Sequence, residues 1–201
     1  MFGRFCLWLL KVCGWTPVLE PPPGPRCVIV AYPHTSNWDF VWGVLYRFGY
    51  GLPIQWMGKH TLFRWPFGGL LKAIGGIPVD RSRAGGIIGA LAEEFRQREW
   101  MWLALTPEGT RSHTDHIKSG FYQLALAAGV PCGLGYFDYR TKTIGIDTYV
   151  TFSGEPERDL AMLRSFYADK PGRRPELAGD LRFRRLPGPA QPSEPPNSRS
   201  S

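Results

Sequence analysis

The chain lacks several features that mark whole classes of protein. No apolar run approaches the ~20 residues that a membrane-spanning helix needs, because Arg4 and Lys11 interrupt the apolar N-terminus. The four cysteines include no Cys-x-x-Cys pair and no metal-ligand spacing, which indicates reduced thiols in a cytosolic protein. No Gly-x-Ser-x-Gly motif marks a serine nucleophile, and no small-x-small cleavage site follows the N-terminal stretch as a signal peptide requires.

Acidic residues are fewer than basic ones, and the net charge of +7 in 201 residues indicates an anionic partner. Such a partner could be nucleic acid, a membrane surface or a phosphorylated substrate, and the 8 tryptophans and 12 phenylalanines help to distinguish these. Several of them cluster near the N-terminus and between Trp56 and Phe67, without a run of Lys and Arg beside them. This composition favours a membrane interface over nucleic acid, since tryptophan rings settle at the level of the lipid headgroups.

Composition divides the chain into four parts. Residues 1–16 contain an apolar helix that either lies in a membrane interface with its basic residues reaching phosphates or packs on the protein's own core. Residues 17–26 are rich in proline and predict a stiff connector that is neither helix nor central strand. Residues 27–170 form the folded domain, and residues 171–201, rich in Pro, Arg and Ser, predict a disordered basic tail.

Within the domain, short β-branched and apolar runs alternate with amphipathic helical segments. Strands are predicted at residues 27–32, 54–57, 77–79, 100–105, 132–137 and 144–152. Helices are predicted at residues 37–46, 70–74, 86–98, 121–128 and 158–167. This alternation predicts an α/β fold with a largely parallel central sheet flanked by helices.

The stretch from Tyr32 to Phe40 contains one histidine and one carboxylate, His34 and Asp39, directly after the first strand of this domain. Were all these residues helical, the two side chains would lie ~140° apart around the axis. We therefore expect His34 in the loop before the helix and Asp39 in its first turn, where the helix N-terminus favours a carboxylate. Two simpler interpretations stay open: Asp39 caps the helix with Ser36, and His34 is an ordinary loop histidine.

Three further motifs follow strand ends or begin a strand, where ligands gather in parallel sheets. Val79-Asp80-Arg81 ends one strand, residues 106–112 (Thr-Pro-Glu-Gly-Thr-Arg-Ser) follow another, and Val130-Pro131 opens a third. The Val130-Pro131 motif is more typical of a structural role than of a catalytic one. His113 and His116 lack a third metal ligand at a standard spacing and are expected in a solvated loop. His60 follows Lys59 and has two interpretations, a residue that approaches a bound ligand and, as is usual for a lone histidine, a structural residue.

Taken in order, these motifs resemble those of the glycerolipid acyltransferase family, which includes lysophosphatidic acid acyltransferase. The family's His-x-x-x-x-Asp matches residues 34–39, and its Pro-Glu-Gly-Thr-Arg-Ser matches residues 107–112. Residues 75–81 and 129–131 resemble its second and fourth motifs, and residues 58–66 the block before the second. The resemblance extends from residue 28 to 131, more weakly to 167, and implies the glycerolipid acyltransferase-type fold.

The resemblance also implies the site. His34 would act as general base, oriented by Asp39, and remove a proton from an acceptor hydroxyl as it attacks an acyl thioester, with no covalent acyl-enzyme. The acceptor would be bound by Lys59, Arg81, Glu108, Gly109, Thr110 and Arg111. For Arg81 the alternative is an ion pair with Asp80 or Glu108, and for Thr110 and Arg111 it is a turn with a solvated charge. No metal is expected, and no cofactor beyond the acyl donor.

The expected activity is transfer of a fatty acyl group from acyl-CoA or acyl-carrier protein to a lysophospholipid such as lysophosphatidic acid. The expected location is the cytoplasmic face of the bacterial plasma membrane, in peripheral contact. Pro33, where many members have Asn, and the Thr-Ser-Asn-Trp sequence between His34 and Asp39 depart from the commonest pattern and resemble a bacterial-type subset. Two alternatives are the same chemistry on a lyso-aminolipid or other specialised lipid, and a catalytically silent lipid-binding adaptor.

Overall fold

The computed structural model describes residues 1–79 and 86–184, which fold around one sheet. The helices are α1 (Phe2–Val12), α2 (Asn37–Tyr50), α3 (Gly68–Ala73), α4 (Ile87–Gln97), α5 (Gly120–Ala128) and α6 (Pro156–Tyr167), with 3-10 turns at His60–Phe63 and Pro175–Leu177. The strands are β1 (Thr16–Leu19), β2 (Arg26–Ala31), β3 (Ile54–Lys59), β4 (Gly76–Val79), β5 (Met101–Leu105), β6 (Cys132–Asp138) and β7 (Thr143–Val150). Each strand and helix predicted within the domain is present, with ends that differ by a few residues.

The sheet has seven strands in the order β1-β7-β6-β2-β5-β3-β4. All neighbouring pairs are parallel except β6 with β7, which form an antiparallel hairpin. The largely parallel α/β sheet is therefore confirmed. Because β2, β3, β5 and β6 run in one direction, the loops after them meet at one carboxyl edge, where the His34 loop and residues 106–112 both lie.

Both faces of the sheet are buried, and strand alternation assigns the side chains to them. Val28 and Val30 of β2 belong to a core shared with α4, α5 and α6. Cys27 and Ile29, the residues between, belong to a second core shared with α1 and α2. A strand covered on both sides has a continuous apolar sequence, which is why residues 27–32 lack the polar alternation of a half-exposed strand.

Helix α1 packs on the protein and also exposes apolar side chains. Cys6 and Leu10 are buried, and Gly3 approaches α2 so closely that a Cβ atom would lie 2.9 Å from the carbonyl oxygen of Phe48. The opposite face carries Phe2, Phe5, Trp8 and Val12, all more than half exposed. No helix among the described residues is both long and apolar enough to cross a bilayer.

Two predicted boundaries need correction. The segment predicted as a connector, residues 17–26, contributes Pro17 to Leu19 to β1, which pairs with β7 at the sheet edge; an edge strand tolerates a proline that a central strand does not. In the predicted tail, residues 171–184 pack on the domain as a C-terminal strap. Phe183 in this strap is buried, and residue 183 forms an isolated bridge with Ile117.

Candidate active site

His34 and Asp39 lie where the sequence predicts, in the loop after β2 and in the first turn of α2. Ser36 is the N-cap of α2, and its side chain accepts a hydrogen bond from the amide of Trp38 at 3.2 Å. The Asp39 carboxylate in turn accepts from the amide of Ser36 at 2.9 Å, which completes the predicted capping box. The capping bond folds the chain back and brings the carboxylate toward the histidine, so capping and pairing are compatible roles.

The two side chains approach without a fully formed hydrogen bond. His34 Nδ1 lies 3.5 Å from Asp39 Oδ2, and the side chains are 12% and 0% exposed. Nδ1 is buried and makes no aligned hydrogen bond with any described residue. Catalytic hydrogen bonds are often long in the absence of substrate and shorten in the reactive complex.

Burial determines the protonation of the pair. It lowers the pKa of His34 to about 4, with the positive charge of Arg111 adding to the effect. The imidazole is therefore neutral at physiological pH, the form that accepts a proton. Burial raises the pKa of Asp39, while hydrogen bonds from Tyr139, Ser36 and Thr35 oppose that rise; these donors favour the ionised carboxylate.

Tyr139 contacts the predicted catalytic pair and was missed by sequence reasoning. Its hydroxyl donates a hydrogen bond of 2.6 Å to Asp39 Oδ1, so the two carboxylate oxygens have separate partners. The ring packs edge-on against Trp15 at 4.9 Å between centroids, which fixes its position. Tyr139 follows β6, 100 positions from Asp39, and nothing in its local sequence distinguishes it from other loop tyrosines.

Glu108, predicted to bind the acceptor, lies behind the histidine loop and not on the cavity wall. Its Oε2 accepts from the backbone amide of His34 at 2.7 Å, and its Oε1 accepts from the amide of Gly179 in the strap at 3.1 Å. The side chain is buried and does not line the cavity beside His34. Burial raises the pKa of Glu108, opposed by the two amides. Glu108 therefore links the histidine loop to the strap, and each of its carboxylate oxygens already accepts from a backbone amide.

The strap makes further bonds to the same loop. The hydroxyl of Tyr32 donates to the carbonyl of Gly179 at 2.7 Å, and the side-chain oxygen of Thr35 accepts from the amide of Arg174 at 3.1 Å. The residues on both sides of His34 are thus bonded to residues 171–184. The proline-rich composition of this segment concealed its role, because composition alone predicts disorder.

A cavity of about 290 Å³ extends from His34 beneath α2. Its inner wall is apolar and comes from the sheet and α2, with Ile29, Gly43, Ile54, Phe137, Ile144 and Ile146 among its residues. Lys59, Thr110 and Arg111 also line it and are exposed, so they mark its mouth. The volume lies near the lower end for small-molecule sites.

The remaining predicted residues are distributed as follows. Gly109 lines the cavity in a left-handed conformation with φ of 65°, which favours glycine. Arg81 lies outside the described residues. His60 begins a 3-10 turn and does not line the cavity. His116 contacts Asp115 at 2.6 Å on the surface, and residues 1–79 and 86–184 contain no group of three metal-ligating side chains.

The fold brings together a neutral histidine and an apolar cavity with a basic mouth. The profile of the acyltransferase family matches residues 20–133, more than half of the chain. The chain therefore belongs to the acyltransferase family and is an acyltransferase.

A solved structure agrees with this assignment at the level of the fold. The crystal structure of the 1-acyl-sn-glycerophosphate (LPA) acyltransferase PlsC from Thermotoga maritima superposes with a TM-score of 0.57 at 16% sequence identity. The match covers 84% of this chain and 77% of PlsC. No curated protein sequence matches the chain significantly.

Proposed function

We propose that this acyltransferase moves a fatty acyl group from a thioester, acyl-CoA or acyl-carrier protein, to the free hydroxyl of a lysophospholipid such as lysophosphatidic acid. The observation that carries the proposal is the position of His34 and Asp39 at the head of a cavity that is apolar inside and basic at its mouth. This arrangement provides a base, a place for an acyl chain and a place for a phosphate.

His34 acts as the general base. Its neutral ring accepts the proton of the acceptor hydroxyl as that oxygen attacks the thioester carbonyl, and a tetrahedral intermediate forms. The carbon–sulfur bond then breaks, and the thiolate that leaves takes the proton back from the imidazolium. Asp39 stabilises the imidazolium and fixes the ring orientation, and Glu108 and Tyr139 hold the two residues in position.

The mouth of the cavity suits a phosphorylated acceptor. Arg111 carries a planar guanidinium that can bind two phosphate oxygens, and Lys59 adds a second positive charge. Thr110 and Gly109 line the wall of the same cavity. We include Arg81 in this site by its sequence motif alone. The apolar wall beneath α2 takes the acyl chain.

Membrane association belongs to the same proposal. The exposed face of α1 presents Phe2, Phe5, Trp8 and Val12 at helical spacing. On a helical projection Arg4 and Lys11 fall along one edge of this apolar face, an arrangement typical of helices that lie in a lipid interface. We infer peripheral contact at the cytoplasmic face of the membrane, where lysophospholipid acceptors and thioester donors meet.

The test is a transfer assay with purified protein, in which acyl-CoA and acyl-carrier protein donors are each combined with a panel of lysolipids. We expect release of free thiol and formation of diacyl product with lysophosphatidic acid, and loss of both in His34→Ala with the fold retained. Arg111→Ala should raise KM for phosphorylated acceptors more than for unphosphorylated ones. Transfer by His34→Ala near the wild-type rate would refute the mechanism, and exclusive use of an acceptor without a phosphate would refute the assigned acceptor.

A further inference from the structure

The segment after β3 exposes an unusual set of large apolar side chains. Leu62, Trp65, Phe67 and Leu70 are 56%, 93%, 64% and 61% exposed. The segment that carries them, residues 60–73, is fixed to the sheet, since Phe63 stacks on Trp56 with 5.7 Å between ring centroids. These four residues, named the mouth patch below, are therefore held outward by a packed support.

The mouth patch lies at the entrance of the active site. Lys59, which precedes the segment, and Leu62 within it both line the cavity beside His34. Trp65 and Phe67 follow the carboxyl end of β3, the same edge of the sheet at which the His34 loop follows β2. A surface that contacts the patch would therefore also face the cavity.

The charged side chains in the stretch of sequence that carries the patch have one sign. From Phe40 to Val79 the sequence contains no aspartate or glutamate. Lys59, Arg64 and Lys72 are exposed in this stretch. Aromatic rings among basic side chains, with no acidic side chain in the sequence around them, complement a surface that is apolar within and anionic outside.

We propose that the mouth patch is a membrane contact separate from α1. The patch inserts Trp65 and Phe67 into an anionic bilayer and places the cavity mouth on the lipid. The proposal rests on the proposed function, because a lysolipid acceptor and an acyl chain would then enter the cavity from the bilayer. The two contacts divide the roles: α1 holds the protein at the membrane, and the mouth patch orients the active site toward it.

Binding to vesicles tests the proposal without any need for catalysis. Wild type, Trp65→Ser/Phe67→Ser and Trp100→Ser are sedimented with vesicles of phosphatidylcholine plus phosphatidylglycerol, and with phosphatidylcholine alone. Trp100 is the matched control, because it is 58% exposed and precedes β5 at the opposite edge of the sheet. We expect the double variant to bind anionic vesicles at least ~10-fold more weakly, from two aromatic side chains no longer buried in lipid, and Trp100→Ser to bind as wild type.

A second variant tests the role of charge. Arg64→Glu/Lys72→Glu should reduce the preference for anionic over neutral vesicles, of which Arg4 and Lys11 of α1 retain a part. Urea unfolding checks that the fold is retained, and an unchanged preference would overturn the role given to charge at the patch. Wild-type binding by Trp65→Ser/Phe67→Ser would overturn the proposal and leave α1 as the membrane contact. If Trp65→Ser/Phe67→Ser binds vesicles as wild type but has a raised KM for acyl-carrier protein, the membrane contact is overturned and the patch is instead a surface that binds the carrier protein. Because neither result depends on which lipid is acylated, failure of the contact and failure of the proposed acceptor remain distinguishable.

Discussion

Replacing Tyr139 with phenylalanine removes one oxygen atom and leaves the ring packed against Trp15. The lost hydroxyl donates a 2.6 Å hydrogen bond to Asp39 Oδ1, and hydrogen bonds to charged groups contribute ~1.5–3 kcal/mol. If all of that energy serves the transition state, in which Asp39 stabilises a protonated His34, the loss corresponds to a ~10- to 150-fold lower rate. We expect kcat to fall ~10-fold or more. KM for the acceptor should stay near that of wild type, because Tyr139 does not line the cavity.

The pH profile separates this effect from a general loss of structure. The Tyr139 hydrogen bond lowers the pKa of Asp39 against the rise caused by burial, so the variant should have a higher Asp39 pKa. His34, with a pKa lowered to about 4, is neutral over most of the working range. Activity should therefore be lost at a higher pH in the variant than in wild type as the medium is acidified.

The assay is steady-state transfer measured across a pH series for wild type, Tyr139→Phe and a control, Tyr149→Phe. The control removes a hydroxyl that donates to the carbonyl of Glu20 at 2.9 Å, far along the sheet from His34. A kcat for Tyr139→Phe within twofold of wild type, with an unchanged acid limb, would refute the positioning role. An equal loss of activity in the control would attribute the effect to stability instead.

Three other predictions concern the cavity, the histidine loop and the strap. Gly43→Leu should shorten the acyl chain that the enzyme accepts, because a Cβ at this position lies 3.6 Å from Phe137 and a longer side chain enters the cavity. Gly89→Leu, with open space around it, is the control. The same chain-length profile in both variants would contradict the assignment of the cavity to the acyl chain. Glu108→Gln should lower kcat and reduce the free energy of unfolding in urea by ~1–3 kcal/mol, because an NH2 group would face a backbone amide donor. Unchanged kinetics and stability would count against a role for Glu108 in holding the histidine loop. Deleting residues 171–201 should reduce activity and melting temperature more than deleting residues 185–201, since only the longer deletion removes the strap; equal effects would show that residues 171–184 add nothing.

Much of the fold was readable from sequence because its signals are local. A strand buried on both faces must be apolar throughout, as in residues 27–32, and a helix with one buried face repeats its apolar residues at helical spacing, as in α4. Strand β1 escaped prediction because Pro17 argues against a strand everywhere except at a sheet edge. Which segment forms the edge is decided by the pairing of β1 with β7, more than 100 residues away.

The site also combines features that the local sequence predicts with features that only distant contacts create. The sequence by itself determined the local geometry of His34 and Asp39, because a loop followed by a capped helix start fixes where two residues five positions apart can meet. Only the tertiary structure decided what surrounds them. Glu108, predicted to bind the acceptor, instead bonds the backbone of the histidine loop and the strap. Tyr139 reaches Asp39 from the loop after β6, the strand beside β2. Contacts between such distant segments depend on how the strands are ordered and leave no local pattern in the chain.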